Sequence, residues 1–242
     1  MTGGTALRLR IVSDIHGNLP ALERVLAHPA GTVCDRTICL GDITGYGPWP
    51  SQCIALVRES CDGVAAGNHD LGCAGLLPHS RFNVWGAAAI DWTARQLSDT
   101  ETVWLAGLPL TIVAHGIGFC HAHPVVPGSW EYILGAGSAR EVLNETPGET
   151  WFYGHTHRPC AWGSRGVRTT LSPIDLRKYP LVNCGSVGQP RDGDPRASFM
   201  VVDTDAQTAE NIRVSYPVDA TAQEINKCGL PPFLAERLFT GR

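Results

Sequence analysis

Five apolar runs in this chain each stop at a short polar segment built from the same few residue types. The segments are Ser13-Asp14-Ile15-His16, Gly41-Asp42, Gly67-Asn68-His69-Asp70, His121-Ala122-His123-Pro124 and Gly154-His155-Thr156-His157. A short apolar run bounded by turn residues reads as a buried strand. Residues 19–26 place Leu19, Leu22, Val25 and Leu26 at helical spacing, and residues 52–59 form a second short helical pattern. Strand, helix, strand, helix, strand is the rhythm of a layered α/β fold. In open α/β sheets ligands bind beyond the carboxyl ends of the strands, so the five polar segments are expected to converge on one crevice.

The remaining chain continues the pattern. Residues 82–97 predict a helix, and Ser98-Asp99-Thr100-Glu101 is a capping box that starts another. Strands are predicted over 109–114 and 117–120, and a helix over 139–143. The last third reads as strands over 151–153, 167–171, 181–183, 198–203 and 211–215, with antiparallel pairing expected from their short connections. Helices over 219–227 and 233–239 end the chain. The 242 residues read as one α/β domain, 1–242, with a helical insertion or cap at about 71–110. Trp85, Trp92 and Trp104 in that segment predict a packing face, with a cap or a homodimer surface as the alternative.

Charge and cysteine usage narrow the partners. A net charge of -4 without a basic block argues against duplex nucleic acid. The apolar runs are too short to span a bilayer, and Asp14 interrupts any secretory leader, so the chain reads as soluble and cytoplasmic, with no membrane partner. Nine cysteines at irregular spacing, with no CxxC pair, read as reduced core thiols. Cys120 and Cys184 flank the polar segments and are the two candidates for a functional thiol.

The polar segments supply two Asp, one Asn and several His, a donor set suited to Mn, Fe, Zn, Ni or Co. A lone Asp-x-His or Gly-Asp carries little information, but five such segments in this order, each behind an apolar run, point to a metal site. Spread along the chain, they can build two adjacent sites. Two metals need a bridging anion, and Asp42, a lone carboxylate after a strand, is the natural candidate. The glycines before Asp42, Asn68 and His155 permit tight turns and close backbone approach.

The order D-x-H, G-D, G-N-H-D/E, H, G-H-x-H is complete, and in it the sequence resembles the calcineurin-like metallophosphoesterase superfamily over roughly residues 7 to 160. The segments around Asp14 and Asp42, with Gly185-Ser186-Val187-Gly188-Gln189-Pro190-Arg191-Asp192, look like its small bacterial and archaeal phosphodiesterase branch, labelled diadenosine-tetraphosphatase-related. The resemblance implies a four-layer αββα sandwich of two mixed sheets flanked by helices. It implies that Asp14, His16 and His157 hold one divalent ion, with Mn favoured, and that Asn68, His121 and His155 hold a second. Asp42 would bridge the two, and His69 would lie beside the scissile phosphate, where it could protonate the leaving alkoxide or stabilise the charge on it. The implied reaction is hydrolysis of a phosphodiester in a small, nucleotide-like substrate. Two ions about 3.5–4 Å apart clamp the phosphate, and a water shared between them attacks in line. A phosphomonoesterase, a protein phosphatase or a dinucleoside polyphosphate hydrolase would use the same residues, whereas a non-enzymatic scaffold would not need the full set.

Further expectations concern substrate and departures. Asn68, a neutral ligand, limits negative charge where an anionic substrate arrives. Arg191 or Arg196, in the Gly-rich loop after a strand, is expected to bind phosphate through its guanidinium fork. Tyr46, Trp49 and Trp130 lie near the motifs, and any of them could stack on a nucleobase. Asp70 either orients His69 or caps a turn. His123 stands where related sequences have a small residue, which leaves His121 or His123 as the ligand, with position favouring His121. Cys184 stands where proline is common.

Overall fold

The computed structural model describes residues 7–164, 166–169 and 173–242. In chain order its strands are β1 (Arg8–Val12), β2 (Arg36–Cys39), β3 (Gly63–Val64), β4 (Thr111–Ala114), β5 (Ile117–Cys120), β6 (Thr150–Tyr153), β7 (Cys160–Gly163), β8 (Gly166–Arg168), β9 (Ile174–Asp175), β10 (Leu181–Asn183), β11 (Ala197–Asp203) and β12 (Thr208–Val214). Its helices are α1 (Leu19–Leu26), α2 (Pro29–Thr32), α3 (Pro50–Ser60), α4 (Asn68–Cys73), α5 (Val84–Ala94), α6 (Asp99–Ala106), α7 (Ala136–Glu145), α8 (Val218–Lys227) and α9 (Pro232–Glu236).

Alternation along the strands produces the layers. Leu9 and Ile11 of β1, Ile38 of β2, Phe119 of β5, Phe152 of β6, Val182 of β10 and Met200 and Val202 of β11 form one buried cluster between two sheets. The intervening residues point outward. Val12, Cys39 and Phe199 meet Leu22 and Val25 of α1, Ile54 and Val57 of α3 and Leu105 of α6. Trp151, Tyr153 and Leu181 meet Ala139 and Val142 of α7. Each large side chain buried this way contributes about 1.5–3 kcal/mol. The result is the expected four-layer αββα sandwich, with sheet orders β3-β2-β1-β11-β12-β9 and β4-β5-β6-β10-β7-β8. The tryptophans of 71–110 are used in packing. Trp104 joins the α1–α3 layer, the Trp92 indole donates to the carbonyl of Cys228 at 3.1 Å, and Trp85 stacks on Phe233.

Several predictions are corrected. Pairing in the last third is not uniformly antiparallel, since β6 pairs in parallel with both β5 and β10. The run between β5 and β6 is long enough to carry α7 as a crossover, and the excursion through β7–β9 returns β10 in the same direction as β6. Asn68-His69-Asp70 is the first turn of α4 rather than a strand-end loop, because the Asp70 carboxylate accepts from the Gly67 N–H and caps that turn. The helix predicted over 82–97 starts later, where Asn83 accepts from the Gly86 N–H, and ends at Ala94. β7, β9 and the short α2 lack a clear periodic signal and were not foreseen. Of the strand predicted over 167–171, Val167 and Arg168 lie in β8, whereas residues 170 and 171 fall outside the described residues.

Candidate metal centre

The five polar segments leave the carboxyl ends of parallel strands β1, β2, β3, β5 and β6 and meet at one edge of the sandwich. Sharp turns take them there. Asp14, His16, Asp42, His155 and His157 all have φ between 49° and 65°, a left-handed conformation that is uncommon outside glycine. Cross-links hold the turns together. Asp14 N–H donates to the Gly41 carbonyl (3.0 Å), His16 N–H to the Asp42 carbonyl (2.9 Å) and Gly154 N–H to the His121 carbonyl (2.8 Å). The His155 N–H donates to the Asp14 carboxylate at 3.1 Å. A Cβ at Gly67 would collide with the Asp42 carboxylate, and one at Gly154 with the Ser13 hydroxyl, which is why these positions are glycine.

Atoms able to ligate a metal gather into three overlapping groups, each within 4.8 Å: Asp14, His16 and His157; His16, Asp42 and His69; and Asp42, His121 and His155. Asp42 joins the two ends. Its Oδ2 lies 3.5 Å from His16 Nε2 and 3.2 Å from His121 Nε2, while its Oδ1 accepts from the His69 N–H at 2.8 Å.

Proton positions follow from the partners. His16 Nδ1 faces the Thr44 carbonyl (3.0 Å) and His157 Nδ1 faces the Gln189 carbonyl (2.6 Å). A carbonyl only accepts, so each Nδ1 carries the hydrogen and each neutral ring is left with a bare Nε2. Those two bare nitrogens face each other at 3.1 Å. Two lone pairs at that distance repel, and a cation between them removes the repulsion. Burial holds His16 and His157 below the ordinary histidine range, so neither ring gains a proton to do so. At the other end His155 Nε2 faces the Trp130 carbonyl (3.1 Å), which leaves His155 Nδ1 bare and 3.1 Å from His121 Nε2. Burial pushes His155 down to about 3, with nearby His121 adding to the effect. Burial also opposes charge on His121, but Asp42 outweighs it and raises that ring to about 9. One proton thus occupies a place that favours positive charge. Asn68 Oδ1 is buried with no hydrogen-bond partner, as a vacant ligand oxygen would be. The donor set fits divalent metal at both ends.

His69 differs from these. Its Nδ1 is buried without a partner, burial takes its pKa down to about 4, and its ring packs edge-on to His16 and Phe82. Asp70 turns away from it, accepting from the Thr44 N–H and hydroxyl and from the Gly67 N–H, which is the capping role. Burial, followed by Asp42, pushes the Asp70 carboxyl up to about 7.

Among the predicted substrate contacts, Tyr46 is buried, with ring centroids 4.6 Å from His16 and 4.4 Å from His69, so it braces those rings. The Arg191 guanidinium lies over Tyr46 at 5.7 Å and donates to Gln189 Oε1. Arg196 is instead exposed and paired in a fork with Asp194. His123 Nδ1 accepts from the Val126 N–H at 3.4 Å and belongs to none of the three groups. Cys120 and Cys184 are free and fully buried, and burial raises both thiols far above the ordinary range, so neither is poised for chemistry. Sequence reasoning missed Tyr132, which stacks on His155 at 4.0 Å, and Arg237, whose guanidinium falls to about 10 through burial and then proximity to Arg191. Neither sits in a motif, and only the fold brings them close.

Comparison with known proteins accords with this geometry. A profile described as "Calcineurin-like phosphoesterase superfamily domain" matches residues 7–207. Uncharacterized protein MJ0912 of Methanocaldococcus jannaschii is 38% identical over 97% of this chain and 98% of its own length. Phosphodiesterase YfcE of Escherichia coli K12 is 28% identical over 82% of this chain and 89% of its own. The crystal structure of a metallophosphoesterase from Sphaerobacter thermophilus superposes with a TM-score of 0.88 at 35% identity, covering 98% of this chain and all of that one.

Proposed function

Since this chain belongs to the calcineurin-like phosphoesterase superfamily and is a metal-dependent phosphoester hydrolase, we propose that it hydrolyses phosphodiester bonds in small, nucleotide-like substrates at a two-metal centre. Residues 1–242 act as one catalytic domain. The observation that carries the reading is the pair of bare histidine nitrogens at 3.1 Å, with Asp42 placed between that pair and His121.

In this reading Asp14, His16 and His157 hold one ion, Asn68, His121 and His155 the other, and Asp42 bridges them. Manganese is favoured, with Fe, Zn, Ni and Co as alternatives of similar ligand preference. Bound there, the ions supply Lewis acidity toward the phosphate and a water acidic enough to attack near neutral pH. The chain does the rest. Four carbonyls, those of Thr44, Gln189, Leu40 and Trp130, hold the imidazoles so that their free nitrogens turn inward. Tyr46 and Phe82 fix the His69 ring beside Asp42, where it serves the leaving oxygen. Arg191, whose backbone N–H donates to the His157 carbonyl at 3.1 Å, supplies positive charge near that residue.

Diester preference is supported by the likeness to a protein named a phosphodiesterase. The rival activities are monoester or phosphoprotein hydrolysis and dinucleoside polyphosphate cleavage. The test is steady-state turnover by chelator-stripped protein, refilled with one metal at a time, on bis- and mono-p-nitrophenyl phosphate. Faster cleavage of the diester is expected. A clear preference for the monoester rejects the diesterase reading while leaving the metal centre intact.

A further inference from the structure

Beside Asn68 lies a cavity of about 140 Å³, lined by Asn68, Leu77, Arg81, Phe82, Ser129 and Trp130. One wall comes from the turn at His79–Arg81 and Phe82, the other from the turn at Pro127–Ser129 and Trp130. The Arg81 guanidinium joins the walls by donating to the Ser129 carbonyl at 3.4 Å.

Both walls touch the metal centre. The Phe82 ring centroid is 5.1 Å from that of His69. Trp130 holds His155 through its carbonyl, and its ring lies 6.3 Å from His121. Trp130 also has φ of 61°, a left-handed conformation that is strained for so bulky a side chain. One residue therefore fixes a ligand histidine and walls the cavity at the same time.

The chemistry of the lining is specific. Leu77, Phe82 and Trp130 offer apolar surface, two of them flat. Apart from Asn68, whose unpartnered Oδ1 is given to the metal centre, the polar side chains of the lining offer donors. The Trp130 indole N–H is buried without a partner, the Arg81 guanidinium can only donate, and the Ser129 hydroxyl oxygen already accepts from the Glu131 N–H. Among the described residues, no carboxylate lines the space. The volume is well below the roughly 300–1,000 Å³ of pockets that enclose a whole drug-sized ligand, so it suits one ring.

We propose that this cavity is the subsite for an ester group of the substrate that carries a flat aromatic ring with hydrogen-bond acceptors, as a nucleobase does. Arg81, Phe82 and Trp130 are its specificity determinants. With the phosphate at the metals, the ring enters past Asn68 and His69 and gives the Trp130 N–H its missing acceptor. This rests on the nucleotide-like reading above and extends it to named residues.

The test is calorimetric titration of manganese-loaded protein with AMP and with ribose 5-phosphate, which share phosphate and sugar and differ by the base. AMP is expected to bind at least tenfold tighter. In Arg81→Ala the ratio of the two affinities falls toward one. In Trp130→Phe, which keeps a ring and removes only the N–H, it falls severalfold. Equal binding of the two ligands, binding of neither, or a ratio unchanged in both variants overturns the proposal. Turnover of bis-p-nitrophenyl phosphate by the same samples separates the two ideas. A protein that prefers AMP without cleaving the diester keeps the subsite and loses the diesterase reading.

Discussion

Replacing Asp42 with asparagine should have opposite consequences with and without metal. The Asp42 carboxylate is 1% exposed, and its one backbone donor within hydrogen-bond reach is the His69 N–H, at 2.8 Å. Its charge is balanced in the metal-free protein by His121, which it raises to about 9. Asp42→Asn keeps an oxygen for His69. It also places an amide donor where Oδ2 lies, 3.2 Å from His121 Nε2 and 3.5 Å from His16 Nε2. His121 then becomes neutral, and a bare nitrogen accepts from the amide. A buried charge pair is thus exchanged for a neutral hydrogen bond, an exchange that is often neutral or stabilising. The metal-free variant should melt within a few degrees of the metal-free parent, or above it. With metal at about 100 times its dissociation constant, each site adds roughly 2.7 kcal/mol. Two sites give about 5 kcal/mol, or roughly 10–20 °C at 2–4 °C per kcal/mol for a chain of this size. The variant lacks the bridging oxygen and should gain less than half of that. The assay is calorimetric melting at pH 7 after chelation and again after manganese is restored. A metal-free variant that melts about 10 °C below its parent would mean that Asp42 is an ordinary structural acceptor. A full metal-induced rise in the variant would mean that it bridges nothing.

His69→Ala should lower kcat on bis-p-nitrophenyl phosphate by about 10²–10⁴-fold while metal content by elemental analysis stays at the parent value, and loss of metal would make His69 a ligand instead. Gly67→Ala drives a methyl group into the Asp42 carboxylate, so the metal-induced rise in melting temperature should disappear, and a normal rise would show that the loop can retreat. Ser98→Ala removes the capping oxygen, Ser98 Oγ, which accepts from the Glu101 N–H at 3.3 Å on an exposed helix start. It should cost about 1 kcal/mol, read as a drop of roughly 2–4 °C in melting temperature, with kcat/KM unchanged.

Much of the fold was legible because burial imposes a period. Strands such as β1, β5 and β10 appeared as short apolar runs, and α1 was found to the residue because Leu22 and Val25 must face the sheet. The pairing of β6 with β10 was not legible, since a parallel register depends on what intervenes rather than on the strands themselves. Asp70 shows the same limit at the scale of one side chain. Its position after His69 allowed two roles, and only the arrival of the Thr44 loop at 3.0 Å decides for the cap. Motif spacing likewise offered Arg191 and Arg196 equally, and the nearby Asp194 takes Arg196 out of play. Residues outside any motif, Trp130 for its carbonyl and Tyr132 for its ring, left no signal beyond being aromatic.

The strained turns explain what the polar loop after β10 is for. Five residues of the candidate site sit in left-handed conformations, each at a cost of about 1–3 kcal/mol, and two of their rings present lone pairs to each other. Something must hold them there before metal arrives. Asn183 donates to the Gly154 carbonyl, Ser186 to the Asp14 carbonyl and Asn18 to the Gly188 carbonyl, while the Val187 and Gly188 N–H groups donate to Ser13 and Asp14. Every one of these groups is neutral. The splint therefore fixes the ligands without adding carboxylates, and Asp70, with its pKa near 7, is spent on capping rather than on ligation. Among the described residues, Asp14 and Asp42 are then the only carboxylates in the three candidate ligand groups, so the proposed two-metal centre would be positive where the proposed phosphodiester anion would bind.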